Sequence, residues 1–317
     1  MVANWRDDAI LAHALSSQTF NEQTMSETMS GPTSRFYFSQ RLRLHYVDWG
    51  NEGAPPLLLI HGGRDHCRNW DWVAEALRHD YHIIAPDLRG HGDSAWAVGG
   101  SYALADFVYD IAHLVKQKTT EPVSIISHSM GGAISLLYTG AYPETVKKLA
   151  VIEGIIMSPE EFEKRRGTPL RERLNEWVDQ LHDLSGRQPR KYATLDEALS
   201  RMRTENPFLS EERARHLTIH GVNQNEDGTY SWKFDNYVRA FAPYGFSAAE
   251  ITSLWREISC PTLLVHGADS WMSTPQNNSA LEFFANAQTA TIANAGHWVH
   301  HDRLQEFLAI VEPFLKS

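Results

Sequence analysis

The chain has 317 residues, 42% of them hydrophobic and 11% aromatic, enough to bury a large core in one α/β domain with an insertion. Its net charge of −10 argues against nucleic acid and anionic membranes as partners. It shows no signal-type N-terminal run and no long apolar span, so the expected state is a soluble, cytoplasmic protein. Its two cysteines, Cys67 and Cys260, read as reduced structural thiols. No Cys/His group has zinc spacing and no loop has the pattern of a phosphate cradle, so neither a metal nor an organic cofactor is expected.

Residues 1–33 are polar and rich in Ser, Thr and Met. Trp5, Ile10, Leu11 and Leu15 have the spacing of one short amphipathic helix, but the composition favours a loosely held extension. From Arg35 the pattern turns to strands, and residues 36–38 and 42–47 predict a hairpin pair. Pro55-Pro56 introduces a buried strand at 57–60, which runs into His61-Gly62-Gly63-Arg64-Asp65-His66. Glycines directly after a buried strand let backbone N–H groups point into a site. A His-Gly-Gly turn commonly supplies one oxyanion donor, here Gly63. His61 reads as a group that hydrogen-bonds the loop more readily than as a base. Arg64 and Asp65 either line a pocket, with Arg64 a candidate substrate contact, or pair with each other.

Residues 70–78 read as a helix and 81–86 as another buried strand. The strand leaves through a glycine-rich turn at 87–94, read as a tight loop held by Asp87 and Arg89. An amphipathic helix over 104–118 leads to the central stretch. There, a short β-branched strand at 123–126 and a helix at 130–142 flank Ser127-His128-Ser129-Met130-Gly131. A strand turning straight into a helix with a serine at the apex has the form of a nucleophile elbow. So sharp a turn needs small neighbours, and Ser127 and Gly131 supply them, Ser127 standing where the usual form has glycine. The helix directs its N-terminal N–H groups, that of Met130 first, toward the point where negative charge would develop at Ser129.

The strand at 148–152 ends in Glu153-Gly154, and a carboxylate at the tip of a buried strand demands a partner. Beyond it the composition shifts. Residues 157–256 lose the strand pattern and become helical, charged and aromatic. Ser158-Pro159-Glu160-Glu161 is a capping box, and Thr194 and Ser247 begin two further helices. Asp227-Gly228 marks a tight turn before 230–234. The aromatics of this insertion, Trp232 and Phe241 foremost, either face a substrate or pack the insertion itself. The strand pattern resumes at 261–270, a short helix is expected at 282–285, and the last strand at 289–293 delivers Asn294-Ala295-Gly296-His297-Trp298. A helix over 304–315 closes the chain. Coming last in the order serine, acid, histidine, His297 reads as the base.

Alternating strands and helices, an elbow serine, a His-Gly-Gly turn, a helical insertion and a late Gly-His together resemble the α/β-hydrolase fold family over residues 35–317. The resemblance implies an α/β fold with a mostly parallel, doubly wound sheet: a core of residues 34–156 and 257–317, a helical cap at 157–256, and an N-terminal extension at 1–33. Capped members that form alkyl-enzyme esters carry aspartate at the elbow. Ser129 instead resembles the serine branch of esterases, lactonases and C–C bond hydrolases, while some members of the fold serve as ligand receptors. The resemblance implies Ser129 as nucleophile, His297 as base, Gly63 and Met130 as oxyanion donors, a small-molecule ester as substrate and no cofactor, and it is compatible with a homodimer. Two family arrangements exist for the acid. One places it after the strand that follows the elbow helix, at Glu153, and this is preferred. The other places it after the penultimate strand, where Ser270 holds the usual position and Asp269 sits one residue early. The carboxylate not used is expected to hydrogen-bond behind the other.

Overall fold

Strands that are apolar on both faces need a helical layer on each face, and the central strands of this chain are of that kind. The computed structural model describes residues 31–99, 102–155, 158–185, 187–240, 242–272 and 280–317. The helix considered around Trp5 to Leu15 and the candidate contact Phe241 lie outside them. The order is β1 (Thr33–Ser39), β2 (Leu42–Asp48), β3 (Pro56–Ile60), α1 (Asp71–Leu77), β4 (His82–Pro86), α2 (Leu104–Lys118), β5 (Val123–His128), α3 (Met130–Ala141) and β6 (Val146–Ile152). The inserted segment then contributes α4 (Pro159–Gly167), α5 (Leu170–Ser185), α6 (Leu195–Glu205), α7 (Glu211–Gly221), β7 (Val222–Gln224) and β8 (Tyr230–Trp232). The chain finishes with α8 (Ala248–Glu257), β9 (Thr262–Gly267), β10 (Ala287–Ile292), α9 (Val299–Asp302) and α10 (Leu304–Lys316).

Eight strands form one sheet in the order β1-β2-β4-β3-β5-β6-β9-β10. The β1–β2 and β2–β4 pairs are antiparallel and all other pairs parallel. Alternate residues sort onto two cores. Leu58, Ile60, Ile125, Leu149, Val151 and Leu264 meet α2, α3 and α8 through residues such as Phe107, Ile134 and Trp255. Leu57, Leu59, Ile126, Ala150, Ile152 and Val265 meet α1 and α10 through Val73, Leu77, Phe307 and Val311. Because the parallel strands run the same way, their C-terminal ends open along one edge, where ligands bind in such sheets.

The three expected caps form. Ser158 and Ser247 each make a reciprocal capping box, with Glu161 and Glu250, and Thr194 accepts from the Glu197 amide. The helix at 282–285 is instead a 3-10 turn at Ala280–Phe283. Helices α5 and α7 and the β7–β8 hairpin around Asp227-Gly228 complete the insertion. Helix α5 escapes a burial pattern because none of its side chains is fully buried. Helix α8, grouped by composition with the insertion, packs its Ile251 and Trp255 into the sheet's own core. The part of the insertion that stands clear of the sheet therefore ends before residue 248.

The insertion lies across the loops at the strand ends. His66 Nε2 donates to the Leu217 carbonyl at 3.0 Å, and the Asp235 amide donates to Gly90 O at 2.8 Å. The Tyr102 hydroxyl donates to the Asp235 carboxylate at 2.6 Å, and Arg213 donates to the His301 carbonyl. Among the described residues no helix is long and apolar enough to cross a membrane.

Candidate active site

The elbow is built by close approach. Ser129 lies between β5 and α3 with φ 51° and ψ −120°, a conformation that costs a non-glycine residue about 1–3 kcal/mol. Its amide donates to Ile152 O at 2.8 Å, which ties the turn to the neighbouring strand. A side chain at Gly131 would place Cβ 2.3 Å from His61 O and 2.6 Å from Ile60 O, so glycine is required there. Gly132 and Gly154 likewise press backbone to backbone, which seats α3 against the loop carrying Glu153. Ser127 is tolerated in place of glycine because it is fully buried in the strand, with Oγ 3.4 Å from Ala150 O.

Ser129 and His297 line one cavity of about 1600 Å³. Gly63, Arg64, Met130, Trp232 and Asp269 border the same space. Gly63 packs against the Met130 side chain, and Met130 directly follows Ser129 as the first residue of α3. Behind His297, Glu153 terminates β6 with φ 51° and a buried side chain. Its Oε2 lies 3.6 Å from His297 Nδ1, within ion-pair reach though longer than a hydrogen bond. The same oxygen accepts from the Ser270 hydroxyl at 2.8 Å. Oε1 accepts from the Gly267 amide at 2.7 Å and lies 2.7 Å from His266 Nδ1. The buried carboxylate is thus held by three groups and turned toward the fourth, His297.

Asp269 is exposed at the cavity edge, and among the described residues its carboxylate has no partner. The expectation that the second carboxylate would hydrogen-bond behind the first is not met; Ser270 does so instead, because Asp269 sits one residue early and its side chain faces outward. Arg64 and Asp65 do not pair. Arg64 is exposed to the cavity, whereas Asp65 is buried and accepts from the His66 amide at 2.8 Å and from Asn69 Nδ2. Trp232 borders the cavity with Nε1 donating to Tyr192 OH at 3.1 Å.

The histidines around the site divide by their partners. His61 Nδ1 donates to Gly62 O at 2.6 Å and its Nε2 accepts from the Leu88 amide at 3.0 Å, so both ring nitrogens hold loops. Burial, with the nearby His91 adding, pushes its pKa down to about 3, which keeps it neutral. His128, next to the elbow serine, was not singled out by the sequence. Its Nε2 donates to the His297 carbonyl at 3.0 Å, and its ring centroid lies 4.7 Å from that of His297. Burial, then the charges of His297 and His300, hold it well below the ordinary histidine range, so it stays a neutral support for the loop carrying His297. Trp271 covers His297 from the solvent side with centroids 5.1 Å apart. His266, Ser270 and Trp271 lie within eight residues of one another and a long way along the chain from Glu153, so no local pattern marks them.

The loop after β4 matches its structural reading. Asp87 accepts from the Cys67 and Asp93 amides at 2.6 and 2.9 Å, and Arg89 pairs with buried Asp110 at 2.6 Å. Among the described residues, two groups of side chains of metal-ligand type lie away from the cavity. His45, Cys67 and Asp87 are all buried, and Asp71, His216 and His220 share a carboxylate that Arg68 already grips at 2.6 Å. Cys67 and Cys260 are free and buried.

A family profile described as the alpha/beta hydrolase fold covers residues 55–304. The chain belongs to the α/β-hydrolase fold family. It is similar to the human serine hydrolase-like protein 2, 26% identical over 281 residues that span 84% of this chain and 89% of that protein. It is similar to the mouse sn-1-specific diacylglycerol lipase ABHD11, 26% identical over 84% of this chain and 82% of that one. Among solved structures, the hypothetical protein PA1622 from Pseudomonas aeruginosa PAO1 superimposes with a TM-score of 0.79 at 26% identity, covering 90% of this chain and 99% of that one. Membership of a family of hydrolases establishes the architecture and the general class of chemistry; the fold alone does not choose a substrate.

Proposed function

We propose that the protein is a serine hydrolase that cleaves carboxylic esters through an acyl-enzyme on Ser129. The observation that carries the reading is the placing of Ser129 and His297 on one cavity, with the buried Glu153 carboxylate 3.6 Å from His297 Nδ1. Ser129 Oγ attacks the ester carbonyl carbon while His297 Nε2 takes its proton. The Gly63 and Met130 amides donate to the oxyanion, each worth about 3–4 kcal/mol in the transition state. Collapse expels the alcohol, which leaves with the proton from Nε2. Water then attacks the acyl-enzyme with the same base, releasing the acid and restoring Ser129. Glu153 holds the imidazole with its Nδ1 proton inward and stabilises the imidazolium that forms in each half-reaction. The 3.6 Å separation shortens as that charge develops. The insertion acts as a cap that narrows access to the serine, with Trp232 and Arg64 offering contacts to the substrate. The lipase among the relatives acts on a carboxylic ester, which supports this class of bond.

The test is covalent labelling. A fluorophosphonate probe is expected to add one equivalent at Ser129, and Ser129→Ala to abolish both labelling and hydrolysis of p-nitrophenyl esters. Labelling that persists in that variant defeats the assignment.

A further inference from the structure

A protein with a net charge of −10 turns a basic surface toward its own cavity. Eight arginines and five acids line it, with no lysine among the described lining residues. Arginine is the side chain whose planar fork matches carboxylate and phosphate oxygens two at a time. Several of the eight are already engaged. Arg201 is paired with Glu205, Arg187 reaches Asp183 at 3.7 Å, and Arg173 donates to the carbonyls of Thr168 and Pro243 at 3.1 and 2.6 Å.

Arg64 and Arg239 are different, as is Arg190, which meets only the face of Tyr192 at 5.3 Å. Among the described residues neither Arg64 nor Arg239 has an acidic partner within ion-pair distance or a side-chain hydrogen bond; Arg239 has only the face of Phe234, 5.6 Å away. They come from opposite parts of the fold. Arg64 follows Gly63 in the loop after β3, held at φ 62°, and Arg239 ends the 3-10 turn Asn236–Arg239 of the insertion. Both face the cavity that holds Ser129 and His297. After burial, Arg64 is the foremost charge holding the pKa of Arg239 below its ordinary value, with Arg187 and Arg201 adding to it. Glu205 opposes, but it is committed to Arg201. Two like charges facing one cavity with the serine, neither paired with an acid among the described residues, are relieved by an anion seated between them.

We propose that the substrate cleaved at Ser129 carries an anionic group, a carboxylate or a phosphate, bound between Arg64 of the core and Arg239 of the insertion. The proposal rests on the reading of Ser129 as nucleophile and adds the chemical class of what Ser129 acts on.

Two matched pairs of esters test it and separate the sources of the anion. Mono-p-nitrophenyl glutarate against p-nitrophenyl valerate asks for a carboxylate on the acyl side. Butyryl-coenzyme A against S-butyryl-N-acetylcysteamine asks for phosphate on the leaving group. The anionic member of at least one pair is expected to have a kcat/KM about 30-fold above its neutral partner, mainly through KM. That ratio is expected to fall to within about threefold of one in the Arg64→Gln, Arg239→Gln double variant, and Arg64→Lys to keep part of it. Calorimetry on Ser129→Ala protein, with monomethyl glutarate against methyl valerate and with the thioester pair, reads the same selectivity without turnover. Ratios near one in both pairs, or a ratio that survives the double variant, overturn the proposal. Selective anion binding in calorimetry with no ester turnover by the unmodified enzyme would support the anion site and sink the nucleophile assignment instead.

Discussion

Replacing Glu153 by glutamine changes one atom of the side chain and removes one charge, which makes it the sharpest probe of the site. The amide keeps the volume: its oxygen can accept from the Gly267 amide, now 2.7 Å from Oε1, while its NH2 takes the place of Oε2 and donates to Ser270 Oγ, now 2.8 Å away, once that hydroxyl turns. The lost quantity is the attraction between the carboxylate and the imidazolium that His297 becomes during proton transfer. At 3.6 Å with an effective dielectric of about 20, Coulomb's law gives about 4–5 kcal/mol. That corresponds to about a thousandfold in kcat, with KM little changed because the attraction develops only as the proton is transferred. Asp269→Asn serves as the control, since that exposed carboxylate has no partner among the described residues, and is expected to lose less than about threefold. The assay is p-nitrophenyl ester kinetics of both variants, with circular dichroism to show that each is folded. A large loss in Asp269→Asn, together with a loss under about tenfold in Glu153→Gln, would refute the assignment of the acid and the electrostatic argument behind it.

Gly131→Ala is expected to destabilise the protein by about 2–4 kcal/mol and to suppress fluorophosphonate labelling, because the new Cβ would stand 2.3 Å from a backbone carbonyl that cannot retreat; an unchanged denaturation midpoint would contradict this. Stability is also expected to fall in mild acid. The pKa of His61 is pushed down to about 3 and that of His91 to about 4, both chiefly by burial, and His128, His300 and His301 also lie well below the ordinary value of 6.5. Above pH 6.5 these rings are neutral in both states and contribute no pH dependence. Between about 6.5 and 4 the unfolded chain takes up protons that the folded chain refuses, so stability drops by about 1.4 kcal/mol per pH unit for each such histidine. Asp65, whose carboxyl burial pushes upward, opposes with a single proton bound in the folded state. Melting temperatures followed from pH 8 to pH 4.5 should be level at first and then decline; a flat profile throughout would show that the buried rings accept protons.

The contrast between Ser129 and Arg239 shows what can be read along the chain and what cannot. Ser129, Gly131, Gly63 and His297 each sit in a short local pattern: a strand must end, a turn must be tight, or a glycine must make room. Those demands act between residues a few positions apart, so they leave a mark in the sequence. The hydrophobic periods did the same for the sheet, since a strand covered on both faces must be apolar on both. The boundary near α8 was less legible, because its charged outer face resembles the insertion, whereas its buried stripe belongs to the sheet core.

What the sequence determined by itself was therefore the strand-and-helix order, the elbow and the family. Only the tertiary structure decided which carboxylate stands behind His297, that His266, Ser270 and Gly267 hold it, and that His128 supports the loop in front. It also brought Arg64 and Arg239, 175 positions apart in the chain, to one cavity. The physical reason is range. Turn chemistry and burial patterns are local constraints on the backbone, but the electrostatics of a site depend on distances of a few ångströms between side chains that the chain itself keeps far apart.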